Sequence, residues 1–348
     1  MSHLPQPASP LNALPNLRTP RRSPSELLLC DVTLREGEQS PGVSFSSAQK
    51  VDLALALEAA GVRQIQVGYP GRFERDMNAT KAICSALTHA AAEVVALAFV
   101  PDWEAEISAC LESEAAVVNV VYRASDRLHA LLGVTRETVL RRVDSAIRLA
   151  ASGEATVAFT PSDGTRADHD FLLRMWEVAA EAGADRLYVA DSVGAATPEL
   201  IASLVERARS VGETPIGVHC HNDFGMVVAN TCTGVMAGAS FADVAVNGLG
   251  DRAGNAPLEE VATALELLYE LESGIDLTKL TNLSERFATA AGRAVAPNKP
   301  VTGHDVFAHT LPTHVAAIEA DARAIQPFEP ELVGNRQRID SRPDGTAP

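Results

Sequence analysis

The sequence predicts an α/β chain folded as a (β/α)8 TIM barrel with a short helical C-terminal lid segment. Three observations carry this. From Glu26 onward short apolar runs alternate with longer amphipathic segments. The alternation yields eight strand–helix units, and together they take about 245 residues, near the usual size of such a barrel.

The strands are expected at 27–32, 63–67, 94–99, 116–121, 156–159, 186–190, 216–220 and 242–246. They are runs of Val, Ile, Leu and Ala, as strands buried on both faces of a parallel sheet require. Helical stretches between them include 47–60, 136–151, 168–182, 198–210 and 258–271. Gly61 and Gly183 follow two of these as C-terminal glycines do, and Thr197-Pro198 supplies an N-cap with proline at the first helical position. A doubly wound open sheet is the main competitor. It has fewer strands and a glycine-rich phosphate loop after the first one, which the segment Asp31–Gln39 is not.

Four segments follow. Residues 1–25, with six of the chain's 20 prolines, read as a disordered or surface-draped arm. Residues 26–275 are expected to form the (β/α)8 barrel, 276–325 a helical C-terminal subdomain, and 326–348 a polar tail.

Of the 348 residues 46% are hydrophobic and 21% charged, so a large core is available. A net charge of −16 and a pI near 5.0 argue against a nucleic-acid partner, which needs a cationic footprint. Five scattered cysteines without a CxxC pair suit a reducing cytoplasm. No apolar run approaches the roughly 20 residues that span a bilayer.

Function in such barrels collects at the C-terminal strand ends. After strand one, Asp31, Arg35, Glu36 and Glu38 crowd into eight positions, a costly density unless they pair or bind something. A solvated loop with an Arg–Glu pair is the plainer account. At strand seven, His219 and His221 are two residues apart on one strand face, which suits a divalent metal with a carboxylate as third ligand. A pair of satisfied core histidines is the alternative; Asn222 and Asp223 stand where they could orient the rings. After strand eight, the glycine-rich run 247–255 permits close backbone approach to a phosphate or pantetheine, or simply closes the barrel tightly. Ser192 adds a polar end after strand six.

Together these segments resemble the metal-dependent acyl-CoA condensing barrels, the family of isopropylmalate, homocitrate and citramalate synthases. The first signature, LR[DE]GxQ, is met from Leu34 to Gln39 with Lys50 beyond it. HxH[DN]DxG is met from His219 to Gly225, and NGLGxRAGNAxLEE from Asn247 to Glu260. The resemblance spans about Leu27 to Val315.

The resemblance implies Glu36, His219 and His221 as ligands of a divalent ion (Mg, Mn, Co or Zn), with Asn255 a further weak ligand. It implies Arg35 as the group that polarises the acceptor's carbonyl, Gln39 and Ser192 as 2-oxo acid contacts, and Gly248, Gly250, Arg252 and Gly254 on the acyl-CoA side. Asp31, and Asp223 with it, would stand beside the ligands rather than among them. His314 would be the base, donated by the C-terminal segment of a second subunit in a homodimer, with His309 as fallback; lid histidines are the plainer reading of both. Acetyl-CoA is the implied co-substrate.

The chain departs from the family at two strand ends. Ser162-Asp163-Gly-Thr-Arg166 lacks one carboxylate of the usual EDxxR, and Arg123 stands where many relatives carry uncharged residues. An acceptor with a second anionic group, such as 2-oxoglutarate or a phosphono-2-oxo acid, follows as the expectation; a rim pair of Arg123 with Asp126 would undo it. No long C-terminal regulatory domain follows the barrel, so feedback inhibition through one is not expected, and a homocitrate-like product is favoured. The rivals are an apolar acceptor, as in isopropylmalate or citramalate synthesis, and a 3-hydroxy-3-methylglutaryl-CoA lyase-like cleavage. Such lyases carry a cysteine in the loop after strand eight, where this chain has none. A metal-dependent aldolase without CoA, and an inactive binding barrel, complete the alternatives.

Overall fold

The computed structural model describes residues 27–339. The arm expected at 1–25 and the end of the polar tail, 340–348, lie outside the described residues.

Eight parallel strands close into a barrel in sequence order: β1 (Leu28–Asp31), β2 (Gln64–Gly68), β3 (Ala91–Leu97), β4 (Val117–Arg123), β5 (Thr156–Ser162), β6 (Arg186–Asp191), β7 (Ile216–Cys220) and β8 (Phe241–Val244). β8 closes on β1 with Leu28 opposite Phe241 and Asp31 opposite Val244. The helices outside are α1 (Ser47–Ala59), α2 (Glu74–Ala86), α3 (Trp103–Glu112), α4 (Asp126–Leu132), α5 (Arg136–Ala150), α6 (His169–Ala182), α7 (Pro198–Arg209), α8 (Val227–Met236) and α9 (Leu258–Leu267). Ser46 caps α1 reciprocally with Gln49, and Thr197 caps α7 with Pro198 following.

Period-two alternation sorts each strand's side chains. One set, including Ile65, Val94, Val120, Phe159, Leu187 and Val218, is buried in the main core against the helices. The other set points inside the barrel. There Val117, Ala158 and Tyr188, with Phe241 against them, form a separate small apolar plug. Gly217 leaves room for it: a Cβ at this position would lie 2.5 Å from the Tyr188 ring. Above the plug the interior carries polar side chains beside Val95 and Val121.

Two strand ends differ from the sequence expectation in a way that bears on the site. Arg123 and Ser162 are the last residues of β4 and β5, in register with each other, rather than members of the following loops. Pro161 reads as a breaker in sequence, yet here it continues the ladder opposite Tyr122. β3 begins at Ala91, three residues before its expected start, and takes in Glu93. β8 stops at Val244, and a 3-10 turn follows at Val246–Gly248.

Beyond the barrel, α10 (Leu280–Ala291) buries Leu280, Leu283 and Phe287. It also braces the loop after β8, because Asn247 Nδ2 donates to the Ser284 carbonyl at 2.8 Å. α11 (Pro312–Ala320) buries only Ile318. Part of the expected polar tail is folded: a 3-10 turn at Pro330–Val333 buries Val333, and Arg338–Ile339 pairs with Ala308–His309. Among the described residues no helix is long and apolar enough to cross a membrane.

Candidate metal centre and active site

Glu36, His219 and His221 each present a ligand atom within 4.8 Å of the others, and all three are buried. β7 delivers His219. His221 lies just beyond the strand, held by a bridge to Asn255. Glu36 sits on a tight turn after β1, where its N–H donates to the Val32 carbonyl at 2.7 Å. The two imidazole Nε2 atoms are 3.2 Å apart, and His221 Nε2 is 3.6 Å from Glu36 Oε1.

Desolvation, with the nearby Arg35 guanidinium, pushes the His219 pKa down to about 3; burial and the neighbouring ring do the same to His221. Both rings are therefore neutral near pH 7. His219 Nδ1 donates to Asp243 Oδ2 at 2.9 Å, which fixes the tautomer and leaves its Nε2 lone pair facing His221. Two converging lone pairs and a carboxylate form a mutually repulsive set that a divalent cation would satisfy. Asn255 lies against them: its Nδ2 donates to the Cys220 carbonyl at 3.2 Å and approaches His219 Nε2 to 3.4 Å. Its Oδ1 and His221 Nδ1 are buried without a hydrogen-bond partner among the described residues.

The residues expected to stand beside the ligands do other work. Asp31 accepts from Thr33 N at 2.9 Å and Thr33 Oγ1 at 2.8 Å, while Val246 N donates to that same hydroxyl oxygen. It thus ties the loop after β1 to the loop after β8, and burial raises its carboxyl to about 7. Asp223 bonds Arg252 at 2.8 Å, and among the described residues no hydrogen bond joins it to either ring; its charge acts on His221 against the effect of burial. The ring-orienting carboxylate is Asp243, missed in the sequence reading; burial raises it to about 7 against the pull of Arg35. Its only signal in the sequence is an acid inside an apolar strand run. Lys50 is a buried brace between Glu38 and Asp76, 2.8 and 3.0 Å away.

A cavity of roughly 350 Å³ opens over Glu36, His219 and His221. Arg35 lines it, paired with Glu36 through Nη1; its Nε donates to Gln66 Oε1, and Nη1 donates to the Tyr69 hydroxyl at 3.2 Å. Gln39 Nε2 reaches both Glu36 Oε2 and the Tyr69 hydroxyl at 3.2 Å. Ser192 lines the wall, its Oγ accepting from Asp163 N at 2.8 Å. Arg123 lines the same cavity, with its guanidinium over the Phe99 ring at 4.4 Å. Desolvation lowers its pKa, opposed by the Asp163 carboxylate. The rim pair with Asp126 does not form, because Arg136 takes that carboxylate with bonds of 2.9 and 2.6 Å. Beside Arg123, Ser162 Oγ is buried in the cavity wall with no hydrogen-bond partner among the described residues.

A second cavity of roughly 300 Å³ is lined by Gly248, Gly250, Arg252 and Gly254, with Arg293 and Lys299 across from them. Arg252 lines both cavities. The glycines are required by the path of the loop. A Cβ on Gly254 would lie 2.0 Å from the Gly248 carbonyl oxygen, and one on Gly250 would lie 2.0 Å from Asn255 Oδ1. His314, exposed at the start of α11, lines neither cavity; its ring is 6.4 Å from that of His309, which bonds Gln326.

Comparison with known proteins identifies the family. Residues 26–286 match the HMGL-like family. A probable 2-isopropylmalate synthase of Ignicoccus hospitalis is 41% identical over 318 residues, 91% of this chain and 79% of that protein. Homocitrate synthase AksA of Methanopyrus kandleri is 39% identical over the same length, with the same coverage of both chains. Among solved structures, the HMG-CoA lyase of Bacillus subtilis superposes with a TM-score of 0.69 over 78% of this chain and 96% of its own; at 20% identity it speaks for the fold alone. The chain belongs to the HMGL-like family, as an enzyme of the synthase kind that its relatives represent.

Proposed function

We propose that this protein is an acyltransferase that condenses acetyl-CoA with a 2-oxo acid bearing a second anionic group, such as 2-oxoglutarate or a phosphono-2-oxo acid. Its products would be CoA and a homocitrate-like 2-hydroxy acid. The observation that carries the acceptor class is Arg123. It is a half-buried cation in the same cavity as the metal-ligand trio, has no ion pair within 4.0 Å among the described residues, and neighbours the unpartnered Ser162 hydroxyl.

A divalent ion held by Glu36, His219 and His221, with Asn255 alongside, would supply Lewis-acid polarisation of the acceptor's carbonyl. Gln39 and Ser192 orient the acceptor's 2-oxo acid end, while Arg123 and Ser162 receive its distal anion. The thioester lies toward the glycine loop, with Arg252 between the two cavities. A base takes a proton from the acetyl methyl group, and the resulting enolate forms the new carbon–carbon bond at the acceptor's carbonyl. Arg35 stabilises the alkoxide that develops there. Water then cleaves the thioester, releasing CoA. We assign the base to His314 of a second subunit, because in its own chain that residue stands away from both cavities. This makes the working unit a homodimer.

Steady-state CoA release tests the acceptor class. Arg123→Ala should raise the Michaelis constant of a doubly anionic acceptor about 10- to 100-fold, the loss of one charged hydrogen-bonding group. It should leave that of acetyl-CoA unchanged. An untouched acceptor constant would overturn the reading in favour of an apolar acceptor, which Val95 and Leu97 in the cavity wall would accommodate.

A further inference from the structure

Below the cavity floor the barrel interior holds an acid that the proposed reaction does not use. Glu93 on β3 is 1% exposed and does not line the cavity. It accepts from three side-chain amides: Gln64 Nε2, Gln66 Nε2 at 2.5 Å and Asn119 Nδ2 at 3.0 Å. Each of these amides uses its oxygen elsewhere. Gln64 Oε1 accepts from Arg186 at 2.5 Å, Gln66 Oε1 from Arg35 Nε, and Asn119 Oδ1 from Thr160 Oγ1 at 2.8 Å. Two of those three partners, Arg35 and Thr160, line the cavity.

An amide has a donor end and an acceptor end of nearly the same shape, so packing alone does not choose between its two orientations. A carboxylate chooses, because an ionised one only accepts. Were Gln66 reversed, its NH2 would face Arg35 Nε–H, donor against donor, and the guanidinium would lose the contact that holds it over the ligands. Burial and the Asp243 carboxylate raise the Glu93 pKa, and the three amide donors work against that rise.

We propose that Glu93 is a positioning residue: by fixing the polarity of the Gln66 amide it aims the Arg35 guanidinium, and by fixing Asn119 it orients Thr160 in the cavity wall. As a role in catalysis this rests on the condensation proposed above; as a statement about Arg35 it stands alone.

The test is an isosteric exchange read in two ways. Glu93→Gln removes the acceptor-only group without changing its volume. It should lower kcat by about 10- to 100-fold, the scale of a reacting group shifted by about an ångström, with the Michaelis constant of acetyl-CoA unchanged. The swap Gln66→Glu with Glu93→Gln restores the polarity toward Arg35, because a carboxylate at position 66 accepts from Arg35 and an amide at position 93 donates to that carboxylate; Asn119, which shares that Glu93 oxygen, loses its acceptor. It should recover the part of kcat that depends on Arg35. In parallel, the Arg35 Nε–H signal of [15N]arginine-labelled full-length protein, assigned through Arg35→Lys, should move in the single exchange and return in the swap. An unmoved Arg35 signal in Glu93→Gln overturns the proposal, as does a swap no better than the product of the two single exchanges. Absence of turnover in the wild type with a responsive Arg35 signal would sink the condensation and leave the positioning intact.

Discussion

The two faces of the same eight strands follow opposite rules. Outward, Ile65, Val94, Phe159 and Val218 meet the helices in one continuous apolar core. Inward, a plug of Val117, Ala158, Tyr188 and Phe241 fills one level, and above it stand Gln66, Glu93, Asn119, His219 and Asp243, each polar, buried and bonded to another. The outer face holds by area removed from water, which many side chains of similar volume supply. The inner face depends on which atom donates and which accepts, so a change of one atom matters there. Stability should therefore reside mainly on the outside and chemistry on the inside.

The largest expected effect breaks the outer face. Phe159→Ala should lower stability by about 3–5 kcal/mol, as large aromatic truncations in cores do. Denaturant unfolding reads this directly, and the acceptor Michaelis constant of the folded fraction should stay where it was. Next, Arg35→Lys keeps the charge but loses the planar fork shared by Glu36, Gln66 and Tyr69. We expect kcat to fall about 10²- to 10³-fold, with the unfolding midpoint little moved. Asp243→Asn is subtler: the His219 ring loses its anionic partner, and divalent-metal affinity should drop about 10- to 100-fold, measured by titration of the chelator-stripped protein. Smallest is Gly217→Ala, which drives a methyl group against the Tyr188 ring inside the barrel. It should lower stability by about 1–3 kcal/mol through overpacking. If Arg35→Lys unfolded the protein, or Phe159→Ala selectively altered acceptor affinity, the division of labour between the faces would fail.

That division also explains what the sequence disclosed. The outer face writes itself as apolar runs, so strand number, order and barrel closure were all legible. The metal-ligand candidates were legible too, because His219 and His221 share a face at a strand end and Glu36 follows another. The inner polar residues were not. Glu93 reads as an interruption in AAEVVAL, which moved the expected start of β3 past it to residue 94. Asp243 lies within β8 and looks like a lapse in an apolar run, yet it holds the His219 ring. Asn222 and Asp223 read as residues that could orient the rings because they follow the histidines in sequence, but the Asp223 carboxylate bonds Arg252. Nearness along the chain carries little weight in a barrel, where the neighbour that matters comes from the next strand.

The most direct test of the central claim, an inner face built for metal-dependent condensation with a doubly anionic acceptor, is CoA release from acetyl-CoA across a panel of 2-oxo acids. The panel comprises 2-oxoglutarate, phosphonopyruvate, oxaloacetate, 2-oxoisovalerate and pyruvate, each with added divalent metal and after chelation. Release should require the metal and be fastest with a doubly anionic acceptor. Release that survives chelation, or metal-loaded protein that turns over only the singly charged acids, would contradict it.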